Sequence, residues 1–194
     1  MPRTGRFAFI PTTQEVSMRF TNWKKMGVTA VIVAVAAPMV VVAADISQET
    51  AAKYILATAK AFRTVYAKSI IGQAKKAGVK PNENWTKDDH AIMLPAQFLK
   101  AAGAELKDFE LGLVGLQPLY KENAPKTPAE ADALKKLTKG QVITFQDGGQ
   151  FKGMAADVAV VKSCADCHNA HPSATKKDWK EGDMLGAIIV RFNK

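Results

Sequence analysis

Val142-Ile143-Thr144-Phe145-Gln146-Asp147-Gly148-Gly149-Gln150-Phe151 carries the reading that decides the fold. Val142 to Phe145 has the β-branched and aromatic character of a strand, Asp147-Gly148-Gly149 is a turn signal, and a second strand starts at Phe151. The stretch therefore predicts a β-hairpin. Two further apolar runs supply more strands: Leu111 to Leu116, and Leu185 to Phe192 after the turn Glu181-Gly182-Asp183. Upstream the period changes. Ser47 is a good helix N-cap with Glu49 in the first turn, where an acid suits the helix dipole. Behind it Ala51, Ile55, Thr58, Phe62, Val65, Tyr66 and Ile70 recur at three- and four-residue spacing, which predicts the buried face of a long helix. Lys75, Lys76, Gly78 and Pro81 supply its stop. Pro95 opens a second helix running to about Ala102 and closed by Gly103. Thr127-Pro128-Ala129-Glu130 reads as a capping box whose helix ends at Gly140. Helices followed by antiparallel strands make an α+β domain.

The chain has 194 residues, 47% of them apolar, which fits one globular domain and excludes a multi-span membrane protein. Residues 1–44 read as an export signal. Arg19, Lys24 and Lys25 precede the uncharged, mostly apolar stretch Met26 to Val42, and Val42-Ala43-Ala44 offers small residues for cleavage before Asp45. The alternative is a retained N-terminal membrane anchor, since such a stretch is at the lower limit for spanning a bilayer. Residues 45–194 then form one domain in the periplasm. Five of the Lys and Arg residues and one Glu lie before residue 45, so 22 basic and 17 acidic residues remain, scattered along the domain. That balance describes a lysine-rich surface suited to a redox partner with an acidic docking face. No basic stripe interleaved with aromatics is present, which argues against nucleic acid.

Both cysteines fall in one pentapeptide, Cys164-Ala165-Asp166-Cys167-His168. Cys-x-x-Cys-His is the haem-attachment signature: two thiols at this spacing reach the vinyl groups along one haem edge, and the next imidazole ligates iron. It predicts one covalent haem c on Cys164 and Cys167, with His168 as proximal iron ligand. The competing readings are a thioredoxin-type redox pair, which wants a βαβ context; a zinc site from Cys164, Cys167, His168 and His171; and a plain disulfide.

With that motif in view, the domain resembles the Tll0287-like family of c-type haem domains. The resemblance covers most of residues 55–192 and rests on Ala61-Phe62-Arg63-x-x-Tyr66, Ala91-Ile92-Met93-Leu94-Pro95-Ala96-Gln97-Phe98 and Thr127-Pro128-Ala129-Glu130. Its most specific part is the tail Cys164-x-x-Cys167-His168-Asn169-x-His171-Pro172 with Asp178-Trp179-Lys180-x-Gly182-Asp183-x-x-Gly186. The resemblance implies a PAS-like antiparallel sheet with flanking helices around one haem. In one member of the family a cysteine is the second axial ligand; this chain has no cysteine outside the motif, so that ligation does not carry over.

For the distal iron position the sequence offers His90, a lone loop histidine beside Asp88 and Asp89, then Met93 and Met154, and His171, which its closeness to His168 keeps on the proximal side. An open site is the remaining option. Arg63 is a candidate for a haem propionate, Tyr66 for a hydrogen bond into the pocket, and Trp179 for packing beside the haem edge. The expected function is electron transfer without catalysis. The alternative is a redox or gas (NO/CO) sensing module that acts through a partner protein.

Overall fold

The computed structural model describes residues 45–193, so the expected signal peptide or anchor lies outside the described residues. No helix among those described is long and apolar enough to cross a membrane. Ser47 starts the first helix, α1 (Gln48–Val65), by accepting a hydrogen bond from the Thr50 backbone N–H. The helix continues through a π-helical segment, Tyr66–Ile70, into α2 (Ile71–Lys76), and Gly78 at φ 80° takes the chain out of it. A short parallel bridge joins β1 (Lys80–Pro81) to β2 (Ala91–Ile92). Then come α3 (Pro95–Ala104), β3 (Phe109–Val114), α4 (Pro128–Lys136), β4 (Val142–Asp147), β5 (Gln150–Val158), α5 (Lys162–Ala170) and β6 (Met184–Phe192). The four long strands form one antiparallel sheet in the order β3-β6-β5-β4.

The hairpin forms where its turn residues direct it: Asp147 pairs with Gln150 across Gly148 and Gly149, both at positive φ, as a tight two-residue turn demands. Alternation then sends β5 and β6 side chains to two different cores. Ala155, Ile188 and Val190 pack with Ala52, Leu56 and Ala59 of α1 and Leu99 of α3. Met154, Ala156, Ala187 and Ile189 pack with Ala133, Leu134 and Leu137 on the α4 side. Gly153 lets α1 lie close, since a Cβ there would stand 3.1 Å from that of Ala52.

Three expectations are corrected. The buried face of α1 is Ala52, Leu56, Ala59 and Arg63, one residue out of step with the predicted stripe; Phe62 and Val65 are 63% and 56% exposed. The periodicity of large side chains misleads because the helix approaches the sheet through small residues. Gly103 does not close α3 but lies within it, where the Leu111 carbonyl approaches too closely for a Cβ. Thr127 does cap α4, accepting from the Glu130 N–H, but the Glu130 carboxylate bonds Lys126, Lys152 and Arg191 instead of reaching back to Thr127, and the helix ends at Lys136.

Candidate functional site

Periodicity does not announce α5, yet α5 carries the whole Cys-x-x-Cys-His motif. It runs beneath a cavity of about 340 Å³ lined by Cys164, Cys167 and His168. The opposite and side walls are largely apolar: Ala67 and Ile71 from the long helix, Leu94 and Pro95 from the start of α3, Leu113 and Val114 from β3, and Leu185 to Ala187 from β6. Gly186 is required here by the sheet, because a Cβ would meet the Val114 carbonyl oxygen at 2.5 Å.

The two thiols are free and not joined to each other. The His168 pKa is lowered from its ordinary value, first by burial and then by the positive charge of Arg63 and by His171, which favours the neutral ring. A neutral imidazole is the metal-ligating form. Behind it, Trp179 stands edge-on to the His168 ring with centroids 6.5 Å apart. Asn169 fixes that tryptophan from both sides: its Nδ2 donates to the Trp179 carbonyl and its Oδ1 accepts from the Trp179 N–H, each at 2.9 Å. Lys176 Nζ covers the indole at 4.1 Å from its centroid.

Arg63 also lines the cavity, with Nη1 2.7 Å from Asp157 Oδ1 and both side chains buried. Its Nε is the one buried side-chain nitrogen or oxygen among the described residues without a hydrogen-bond partner. Burial pushes the Asp157 carboxyl up, opposed by the charges of Arg63 and Lys60. At the mouth, Ser173 N–H donates to His171 Nδ1, which leaves the proton on Nε2, 3.4 Å from Glu83 Oε1. Tyr120 meets His171 edge to face, and its phenol is raised above its ordinary range by desolvation and then by the Glu83 carboxylate.

The structure thus brings Arg63 to the motif and seats Trp179 against His168. Tyr66 is buried but turned elsewhere: it stacks on Phe98 and its O–H donates to the Met93 carbonyl. None of the distal candidates reaches the cavity. His90 is exposed on the loop beside Asp88, Met154 is fully buried in the α4-side core, and Met93 and His171 are not among the lining residues. Cys164, Cys167, His168 and His171 do not converge as a four-ligand metal cage either; no such cluster occurs among the described residues. Asp157 and Glu83 escaped the sequence reading, and Asn169 entered it only as part of the family tail, without a role. Asp157 left a trace, as a lone acid in the apolar run from Met154 to Val161.

The profile of the Tll0287-like family matches residues 43–193, and the chain belongs to that family. A solved structure, that of the cyanobacterial haem protein Tll0287, is similar at 19% identity and a TM-score of 0.49, over 77% of this chain and 98% of that one. No curated protein matches.

Proposed function

We propose that this domain is an exported, periplasmic monohaem c-type cytochrome with a PAS-like fold, and that it transfers electrons without catalysing a reaction of its own. The observation that carries the reading is that Cys164, Cys167 and His168 line one largely apolar cavity. Their donor set fits haem c: two thiols for thioether bonds and a neutral imidazole for iron. The unpartnered Arg63 Nε fits too, as a buried donor for a haem carboxylate, with Asp157 holding the guanidinium in place. Bound there, the group would supply one-electron chemistry at iron, and the protein would tune it through the second axial ligand, burial and nearby charge. Its partner would be a redox protein with an acidic docking face.

Mass analysis of the peptide spanning Cys164 to His168 tests this directly. The expected result is one added haem. An unmodified pair, or zinc in its place, overturns the reading.

One observation favours the second reading, ligand sensing. Apart from the motif itself, no histidine, methionine or cysteine lines the cavity among the described residues. Lys75, Glu83, Tyr120 and Asp157, the last already paired with Arg63, are the lining side chains that would otherwise have to supply a further iron ligand. Optical and EPR spectra in both oxidation states decide between the two. A low-spin ferric signal and poor carbon monoxide binding support the carrier; a high-spin signal with ready carbon monoxide binding supports the sensor.

A further inference from the structure

The α1 side of the sheet buries a carboxylate that moving an electron does not in itself require. Asp157 follows Ala155 on the same face of β5, and Ala155 packs on α1. Asp157 is 7% exposed, yet it lines the cavity that holds Cys164, Cys167 and His168. Its partner across the ladder on β6 is Gly186, another lining residue, so that strand sets no side chain beside the carboxyl. From α1, Arg63 Nη1 meets Asp157 Oδ1 at 2.7 Å, and Lys60 adds a second positive charge at longer range. From α5 it shares the cavity with Cys164, Cys167 and His168. Lys75, Glu83 and Tyr120 complete the titratable lining; β3, β6 and the start of α3 contribute none.

Glu130, on the other face, shows what keeps a buried carboxylate charged: Arg191 through two nitrogens, Lys152 Nζ and the Lys126 N–H all donate to it. Asp157 has one ion pair among the described residues. Burial favours its neutral acid, the guanidinium favours its anion, and the two act against each other. Negative charge added to the same apolar cavity acts on the side of the acid, since like charges disfavour ionisation. We propose that Asp157 is the redox-linked proton acceptor of this site. As one electron enters from the redox partner, the Asp157 carboxylate takes up one proton from solvent and an O–H bond forms on it. When the electron leaves, that bond breaks and the proton returns to solvent. Arg63 keeps its charge throughout. The inference rests on the haem reading and adds to it a coupling between electron and proton.

Potentiometric titration of the haem-loaded protein at a series of pH values tests the coupling. In wild type the midpoint potential is expected to fall as pH rises, with a slope approaching about 59 mV per pH unit where one proton accompanies each electron. Asp157→Asn, neutral and of the same shape, is expected to hold the acid-side potential of wild type at every pH. Infrared difference spectra, reduced minus oxidised, supply a second readout. Wild type should gain a carboxylic acid C=O band that shifts in heavy water, and Asp157→Asn should lack it. A pH-independent wild-type potential overturns the proposal and leaves the haem reading intact, whereas the absence of any redox couple removes both. A slope that persists in Asp157→Asn also overturns it, because the proton then goes to another group. The infrared measurement on wild type stands even if the variant does not fold: reduction without a new carboxylic acid band overturns the proposal by itself.

Discussion

The sheet carries a buried ion cluster on each face, and the two are built to different ends. On the α4 side Glu130, fully buried, receives Arg191 through both Nε and Nη2 at 2.7 and 2.8 Å, Lys152 at 2.8 Å and the Lys126 backbone N–H at 2.8 Å. Lys152 is shared with Asp147, which also accepts from Thr127 Oγ1, so strand, hairpin and helix cap are tied together. Burial alone would raise the Glu130 carboxyl, but its donors outweigh burial and bring it down to about 2. On the α1 side a single pair, Arg63 and Asp157, is buried beside the cysteine motif with one donor left over. A cluster whose hydrogen bonds are all made holds a fold together. A buried pair with a spare donor beside the cavity leaves one hydrogen bond unmade.

Removing the centre of the complete cluster should cost most. Glu130→Ala leaves Lys152 and Arg191 buried against each other, and about 3–5 kcal/mol of unfolding free energy is expected to go, measured by urea denaturation at neutral pH. Arg63→Met should cost less, about 1–3 kcal/mol in the same measurement, because the abandoned Asp157 can take up a proton. Equal losses would erase the distinction between the clusters.

The pH dependence has opposite signs on the two faces. The Glu130 pKa is depressed on folding, so its contribution is present above the ordinary carboxylate value and is lost as pH falls toward about 2. Asp157 is raised on folding, so its contribution is present at low pH and is lost as pH rises through the folded value. Wild-type stability should therefore decline from about pH 5 downward, by on the order of 3 kcal/mol from Glu130, and Glu130→Gln should flatten that limb. Asp157→Asn should steepen it, since the opposing slope disappears. An unchanged acid limb in Glu130→Gln would contradict the assignment.

The smallest effect belongs to an ion pair outside both clusters. Lys162 and Asp166 meet at 2.7 Å on α5, but both are exposed, and Lys162→Ala should change stability by less than about 0.5 kcal/mol.

Much of the fold was legible because local chemistry dictated it. The Gly148-Gly149 hairpin, the Ser47 and Thr127 caps and the last strand all follow from residues within a few positions of one another. The face of α1 was not, because its buried side is built from Ala52, Ala59 and a charged Arg63, whose partner Asp157 lies 94 residues away in sequence. The same holds for the site. The motif on α5 announces itself by spacing, whereas a distal side chain is chosen by tertiary placement, and isolation in a loop gave His90 no route to the cavity.

The π-helical segment Tyr66–Ile70 adds a constraint on chain length. Side chains four apart drift by about 40° per step in a regular α-helix but stay nearly in line through a wider turn. That is how Arg63, Ala67, Ile71 and Lys75 all come to line one cavity. The segment behaves as a single inserted residue. Deleting Ser69 would restore a regular helix at no cost in hydrogen bonds, yet turn Ile71 and Lys75 roughly 100° away from the motif. Homologous chains that keep this wall should therefore tolerate substitution across Tyr66–Ile70 far better than a gap.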